Sequence, residues 1–417
     1  IPYLNSLYQG NSQQDIVVRY HFYQTVSNKL AESFTGQLAQ WCQKHQIASG
    51  GHLFGEQWMP IHVVNYGDLM KILEKQQIPG CDIPIPESEN SWWNYWMPKF
   101  ISSVAYLKNV DTVSALLDPI ISRKNPIFTP PEDIFRHTIN MAFLVGINQI
   151  NTYLRWSQYQ PAEYRKFNKY VGRLAVILRG ASSDAKIGMY YPIETAQADF
   201  KVTAKSSGSI IKDYNYLDHT QNRVSKNLLK SGYDFNYLNA KAIINSTIQQ
   251  DKLIVGEQEY KCVIMPRVEV IPLKVLNKLE KFEEGGGEVI WVDKLPEIGV
   301  TNKSSEDIAS KMQKYPIVNN VVKKINNKIA LKDWYDLQIQ SDNDNLFTGR
   351  YKRNGKEILY LINGNRYKVI EVTINNLSNV NTEKIKIYNP LQGKSTEDNL
   401  PLELSLKGYS SMIITIE

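Results

Sequence analysis

The feature that most constrains this chain is a change of hydrophobic rhythm at about residue 328. Upstream, short apolar segments alternate with stretches whose apolar residues recur at steps of three and four, the mark of strand–helix units. Downstream, apolar residues recur at steps of two over 357–362, 369–374, 385–388, 402–406 and 411–416, with turn residues such as Asn354-Gly355 and Asn363-Gly364 between them. Alternating strands and helices call for a parallel sheet, and a period-two tail with such turns reads as a β-sandwich. The fold class expected is α/β: a partial (β/α) TIM-type barrel over 1–180, a flavodoxin-like α/β domain over 181–300, a helix and linker over 301–327, and a C-terminal β-sandwich over 328–417.

Within 15–45 the positions Val18, Phe22, Val26, Leu30, Phe34, Leu38 and Trp41 predict one apolar face of a single long helix. Four strand–helix units then fit residues 15–180, about half of a closed eight-unit barrel. Either the other half precedes Ile1 or the barrel is not closed. The chain begins Ile1-Pro2-Tyr3 without methionine or signal sequence, which reads as a processed, trimmed or excerpted product. A second strand–helix series starts at 186–191. It ends with the helix 273–284, the glycines 285–287 and the strand 288–292, a flavodoxin-like pattern.

Composition narrows the function. A net charge of +6 over 417 residues, with lysines and acids interspersed, gives no footprint for nucleic acid or a membrane surface. No apolar run reaches the length of a membrane span. Cys42, Cys81 and Cys262 are too scattered for a disulfide framework and form no CxxC metal motif.

The segment Gly50-Gly51-His52-Leu53-Phe54-Gly55-Glu56 places an acid after a glycine-rich strand, where barrel enzymes keep their chemistry. Glycoside cleavage commonly uses two carboxylates, one to protonate the leaving oxygen and one to attack or to activate water. Glu56 is the first candidate, against the reading of a solvated loop acid. Asp118, ending the strand 113–117, is the second, against a turn residue before Pro119. His52 suits a sugar hydroxyl or a satisfied core site, and Asp68 suits a substrate loop or a helix N-cap. Trp92, Trp93, Tyr95 and Trp96 offer a stacking platform or plain packing, with Glu87 and Glu89 just before them. Asn148, Asn151 and Tyr153 supply neutral hydrogen-bonding groups around a strand end.

The run Val18-Arg19-Tyr20, Phe34, Trp41-Cys42, Gly51-His52 and Gly55-Glu56 resembles the catalytic stretch of glycoside hydrolase family 106-type proteins, the α-L-rhamnosidase group. Gly67-Asp68, Pro79-Gly80-Cys81-Asp82, Lys99 to Ala105 and Gly146-Ile147-Asn148 extend the likeness in order. The resemblance implies a barrel hydrolase acting on polysaccharide side chains, with Glu56 as acid and a periplasmic or extracellular setting. It also implies amidotransferase- or flavodoxin-like and β-sandwich accessory domains. Calcium use belongs to the same implication, with no ligand set readable in the residues. One departure stands out: where relatives carry a glutamate in the strand 113–117, this chain has Leu116.

Three functions follow: a glycoside hydrolase acting on terminal sugars such as α-L-rhamnosides, a catalytically degenerate carbohydrate-binding relative lacking the second carboxylate, and an interaction protein. The partner expected is a carbohydrate, with no nucleic acid and no membrane span.

Overall fold

Glycine at position 50 lets two strands meet edge to edge, because a Cβ there would come within 2.5 Å of the Ile78 carbonyl oxygen. The computed structural model describes residues 3–85, 95–119, 131–153, 159–302, 304–328, 334–335, 337–376 and 384–416. In it β1 (Gly50–Gly51), β2 (Ile78–Ile85), β3 (Ser114–Pro119) and β4 (Gln149–Thr152) lie side by side in chain order, all parallel. Parallel neighbours need a crossover, and helices supply each one. The crossovers are α3 (Met59–Tyr66) with α4 (Leu69–Leu73), then α5 (Met97–Lys108), then α6 (Glu132–Leu144). The result is half of a barrel, preceded by α1 (Gln13–Leu30) and α2 (Gln37–Lys44) and followed by α7 (Pro161–Leu178).

The single long helix expected over 15–45 is interrupted. A π-helical turn at Ala31–Gly36 separates α1 from α2 and shifts the phase of the side chains. The expected apolar face is also not the buried one: Phe34, Leu38 and Trp41 are 45%, 50% and 56% exposed. The face that packs carries Val17, Arg19, Tyr23 and Ser27. It is held by polar contacts that hydropathy cannot register, with Arg19 donating to the carbonyls of Ala198, Ser6 and Gly10.

After β5 (Ser182–Ser183), a second parallel sheet begins with β6 (Ile187–Tyr190). Helices α8 (Ile193–Asp199), α9 (Ser207–Asp213) and α10 (Tyr216–Lys230) lead to β7 (Phe235–Leu238). The sheet order is Glu288–Val292, Cys262–Pro266, β6, β7. Sequence reading misses two small sheets here: an antiparallel one over 247–260, and a mixed one of Val270–Pro272, Ile298–Val300 and Ser305–Asp307.

The last third holds two antiparallel sheets. One contains Leu337–Ser341, Ile370–Asn376 and Leu402–Leu406, and the other has six strands with β5 at its edge. Leu359, Leu361, Ile370, Val372, Ile374 and Ile414 fill a common core. Asn354 and Gly355 both take positive φ, the tight hairpin turn their sequence predicts. Asn363 instead ends a strand and donates to the carbonyls of Lys368 and Leu406, so Asn363-Gly364 is no two-residue hairpin.

The half-barrel and the second sheet share one continuous apolar core, reaching from Met59 and Phe100 to Tyr191, Tyr237 and Ile264. At its centre the fully buried Lys99 Nζ lies 2.7 Å from Asp234 Oδ1.

Candidate active site

Gly55 has φ +82°, and a Cβ there would lie 2.3 Å from Ile61 Cγ2, so this turn is closed to other residues. The turn folds Glu56 inward until only 1% of it is exposed. One carboxyl oxygen accepts from Leu53 N at 2.5 Å and the other from Asp82 N, on β2, at 3.1 Å. Burial disfavours the charged form and pushes this carboxyl up to about 8, even though both backbone donors pull it down. A carboxyl in that state holds its proton at neutral pH.

The main chain of Glu56 is held as firmly as its side chain. His62 Nε2 lies 2.8 Å from the Glu56 carbonyl oxygen, and His62 Nδ1 lies 2.8 Å from Tyr191 Oη, just past β6. A carbonyl only accepts, so Nε2 carries the hydrogen. Burial drives His62 down to about 3, so the ring is neutral and Nδ1 accepts from the tyrosine hydroxyl.

Strand alternation decides which residues share a face. On β2, Cys81, Ile83 and Ile85 are buried with the core, so Gly80, Asp82 and Pro84 take the other face. On β3, Ala115 and Leu117 are buried, and Ser114, Leu116 and Asp118 take that same face. Asp82 pairs with Leu116 and Pro84 with Asp118, which sets the two aspartates diagonally across neighbouring strands. Burial raises both carboxyls above the usual range, Asp118 raises Asp82 further, and His52 pulls both down. His52 Nδ1 lies 3.9 Å from Glu56 Oε1. Asp82 Oδ1 is buried without a hydrogen-bond partner among the described residues. Glu56, His52 and Asp82 thus lie beside one another at β1 and β2, and Asp118, near the end of β3, shares the face of Asp82.

Other sequence candidates lie elsewhere. Asn148 precedes β4 at the opposite end of the sheet, where its side chain accepts from Val113 N and donates to the Asp111 carbonyl. Asn151 pairs with Leu116 on the Asp82 face, and Tyr153 follows β4 with 64% exposure. Asp68 caps α4 in the outer helical layer. It lines a separate cavity of about 660 Å3 with Glu194, Tyr20 and Lys71, because it follows a helix instead of ending a strand. Trp92, Trp93, Glu87 and Glu89 fall outside the described residues. Trp96 is core, packed against the rings of His62, Phe100 and Tyr237, and Tyr95 is buried against Phe347.

Asp82 and His62 were not among the sequence candidates. Period two over 78–85 would have set Asp82 opposite Cys81 and Ile83; His62 carries no comparable local signal. Among the described residues, no three His, Cys, Asp or Glu side chains converge as a metal centre would require. Each Glu56 oxygen accepts one backbone amide, and no group of carboxylates among the described residues is assembled as a calcium site would require.

The sequence profile of the alpha-L-rhamnosidases, glycoside hydrolase family 106, matches residues 1–397. A rhamnosidase from Novosphingobium sp. PP1Y superposes with a TM-score of 0.66 at 16% identity, over 95% of this chain and 39% of that one. A GH42 beta-galactosidase, Gan42B from G. stearothermophilus, gives 0.64 at 9% identity over 97% and 69%. An exo-carrageenase of GH42 from Bacteroides ovatus gives 0.62 at 12% over 96% and 56%. At these identities the likeness is one of fold, and this chain spans 39% of the rhamnosidase's length. No curated protein matches it.

Proposed function

The chain belongs to glycoside hydrolase family 106, the alpha-L-rhamnosidases, and on that premise we propose that it carries the catalytic face of a hydrolase acting on terminal α-L-rhamnosides. The observation that carries the reading is a buried carboxyl, Glu56, beside two aspartates that share one face of adjacent strands. Glu56 gives its proton to the glycosidic oxygen as the bond from that oxygen to the anomeric carbon breaks. Water attacks the anomeric carbon and passes its proton to Asp82 or Asp118. The sugar leaves with a new hydroxyl and the aglycone with Glu56's proton, so atoms and charge balance. His52 sits where it can accept or donate to a sugar hydroxyl, and Asn151 and Tyr153 extend the polar wall. The family reading also supports work outside the cytoplasm. No described helix is long and apolar enough to cross a membrane, and fractionation of the native host tests the location.

Leu116 occupies the place where the resemblance calls for a glutamate, and Asp82 is its register partner on β2. We infer that Asp82 or Asp118 takes over the role of that carboxylate. The test is turnover of p-nitrophenyl α-L-rhamnoside by the wild type and by Glu56→Gln, Asp82→Asn and Asp118→Asn. Glu56→Gln and one aspartate variant should each lose about 100-fold or more. Retention of rhamnose binding without turnover in the wild type would support the degenerate carbohydrate-binding reading instead.

A further inference from the structure

Helix α3, which follows Glu56, begins with little of its own to hold it. Trp58 stands at its N-cap in an extended conformation and offers no side-chain cap, and Pro60 in its first turn has no amide hydrogen. The first amides of a helix need acceptors from outside it. Trp58 N reaches back to the Gly55 carbonyl at 3.1 Å, closing a turn with Glu56 and Gln57 at its centre, and Ile61 N and His62 N reach the Trp58 carbonyl. Met59 N remains, the amide at the exit of that turn, on a residue with no exposed surface.

Its acceptor comes from the second α/β unit. Asp218, in the first turn of α10, accepts from Met59 N at 2.8 Å across 159 residues of sequence. Its Oδ2 is buried without a hydrogen-bond partner among the described residues. Burying an oxygen in this way costs the fold stability, and what the carboxyl supplies is the bond to Met59 N. Burial pushes this carboxyl up to about 8 against the pull of that bond, so at neutral pH Oδ1 accepts as the carbonyl oxygen of an uncharged acid. The same turn is held at a second point from the same unit, where Tyr191 fixes His62 and His62 fixes the Glu56 carbonyl. Tyr191 and Asp218 thus hold the turn by its carbonyl and by its exit amide, while Gly55, packed on Ile61, closes its entrance.

We propose that Asp218 is a positioning residue for the proton transfer: by anchoring Met59 N it sets where the Glu56 carboxyl meets the glycosidic oxygen. This rests on Glu56 acting as the acid, as proposed above. Met59 is three residues from Glu56, close enough for its slack to reach the acid, and a displacement of about 1 Å can cost about 100-fold in rate. The second α/β unit is in this reading part of the catalytic frame, although no side chain of it touches the substrate through Asp218.

The experiment compares the full chain with Asp218→Asn, which keeps an oxygen for Met59 N, and Asp218→Leu, which does not; Asp218→Ala replaces the leucine variant if that one fails to fold. Two substrates separate positioning from stability, because p-nitrophenolate departs from its α-L-rhamnoside without a proton and methanol departs from methyl α-L-rhamnoside only with one. The leucine variant should lose about tenfold or more in kcat on the methyl glycoside at unchanged KM, and far less on the nitrophenyl glycoside. The asparagine variant should recover most of that loss. Equal losses on both substrates would report lost folded enzyme and overturn the proposal, as would an asparagine variant as impaired as the leucine one. The second arm needs no turnover: carboxyl-carbon NMR of the glutamate-labelled chain, with Glu56 assigned by its absence from Glu56→Gln. Glu56 should titrate lower by about half a pH unit or more in the leucine variant, as a loosened turn admits water, and stay in place in the asparagine variant. An unmoved Glu56 in the leucine variant overturns the proposal. A shift there, with neither glycoside turned over by the wild type, sinks the hydrolase reading and leaves the hold on Glu56 standing.

Discussion

Replacing Glu56 with glutamine should change stability by an amount that depends on pH, and the sign follows from the site's geometry. The folded carboxyl keeps its proton to about 8, whereas the unfolded chain releases it near 4.5. Between those values the folded state binds more protons, so the wild type loses stability as pH rises through the window. Below 4.5 the group costs nothing, and above 8 the cost is complete. The separation between 4.5 and about 8, at about 1.4 kcal/mol per pH unit, sets a ceiling of about 5 kcal/mol. Glutamine cannot ionise and escapes that cost. It brings its own, because its amide can accept from Leu53 N while its NH2 group opposes the Asp82 N–H. That mismatch costs about 1–3 kcal/mol at every pH. Urea unfolding followed by tryptophan fluorescence should therefore find the variant less stable at pH 5, and the gap should close or reverse by pH 9. Parallel stability curves at pH 5, 7 and 9 would mean that Glu56 ionises normally in the fold, and the burial argument would fail.

Tyr191→Phe removes the hydroxyl that donates to His62 Nδ1; it should cost about 1–2 kcal/mol in thermal unfolding and slow turnover of an aryl rhamnoside, by loosening the hold on the Glu56 carbonyl. Unchanged turnover would separate His62 from the acid. Lys99→Met strands Asp234 in the core and should cost about 3–5 kcal/mol, read by urea denaturation; the double variant with Asp234→Leu should recover part of it. Phe34→Lys with Leu38→Lys should leave stability within about 0.5 kcal/mol and lower light scattering at high concentration. A loss of several kcal/mol would place that stripe in the core. Asp68, Glu194 and Asp218 are also buried carboxyls raised to about 6, 7 and 8. By the same sign the wild type should melt higher at pH 5 than at pH 8.5, a comparison for calorimetry.

The strand–helix alternation of the half-barrel was legible because apolar spacing reports burial directly. Helices such as Leu273–Glu284 and strands such as Glu288–Val292 need no distant partner to be read. The first helix misled for the opposite reason: its packed face is built on Arg19 and Ser27, whose partners lie far along the chain or in backbone carbonyls. The place of Glu56 after a glycine-rich strand was legible from its glycines, and that of Asp118 at a strand end from the strand pattern. His62 and Asp218 were not, since each acts through a contact more than a hundred residues away. Asp82 lay between these cases, visible to strand periodicity yet hidden in a proline-rich run. Trp96 shows the converse failure, because an aromatic cluster looks alike in sequence whether it lines a cleft or fills a core.

The apolar core that runs unbroken from the half-barrel into the second sheet limits how this protein can be dissected or recombined. A cut near residue 180 would expose the rings of Phe100, Tyr191 and Tyr237 on both fragments and separate Lys99 from Asp234. Gene fusions and exchanges that treat 1–180 as a portable cassette would inherit that raw surface. The transferable unit is the pair, and a substitution that moves the end of β6 reaches the Glu56 carbonyl through Tyr191 and His62.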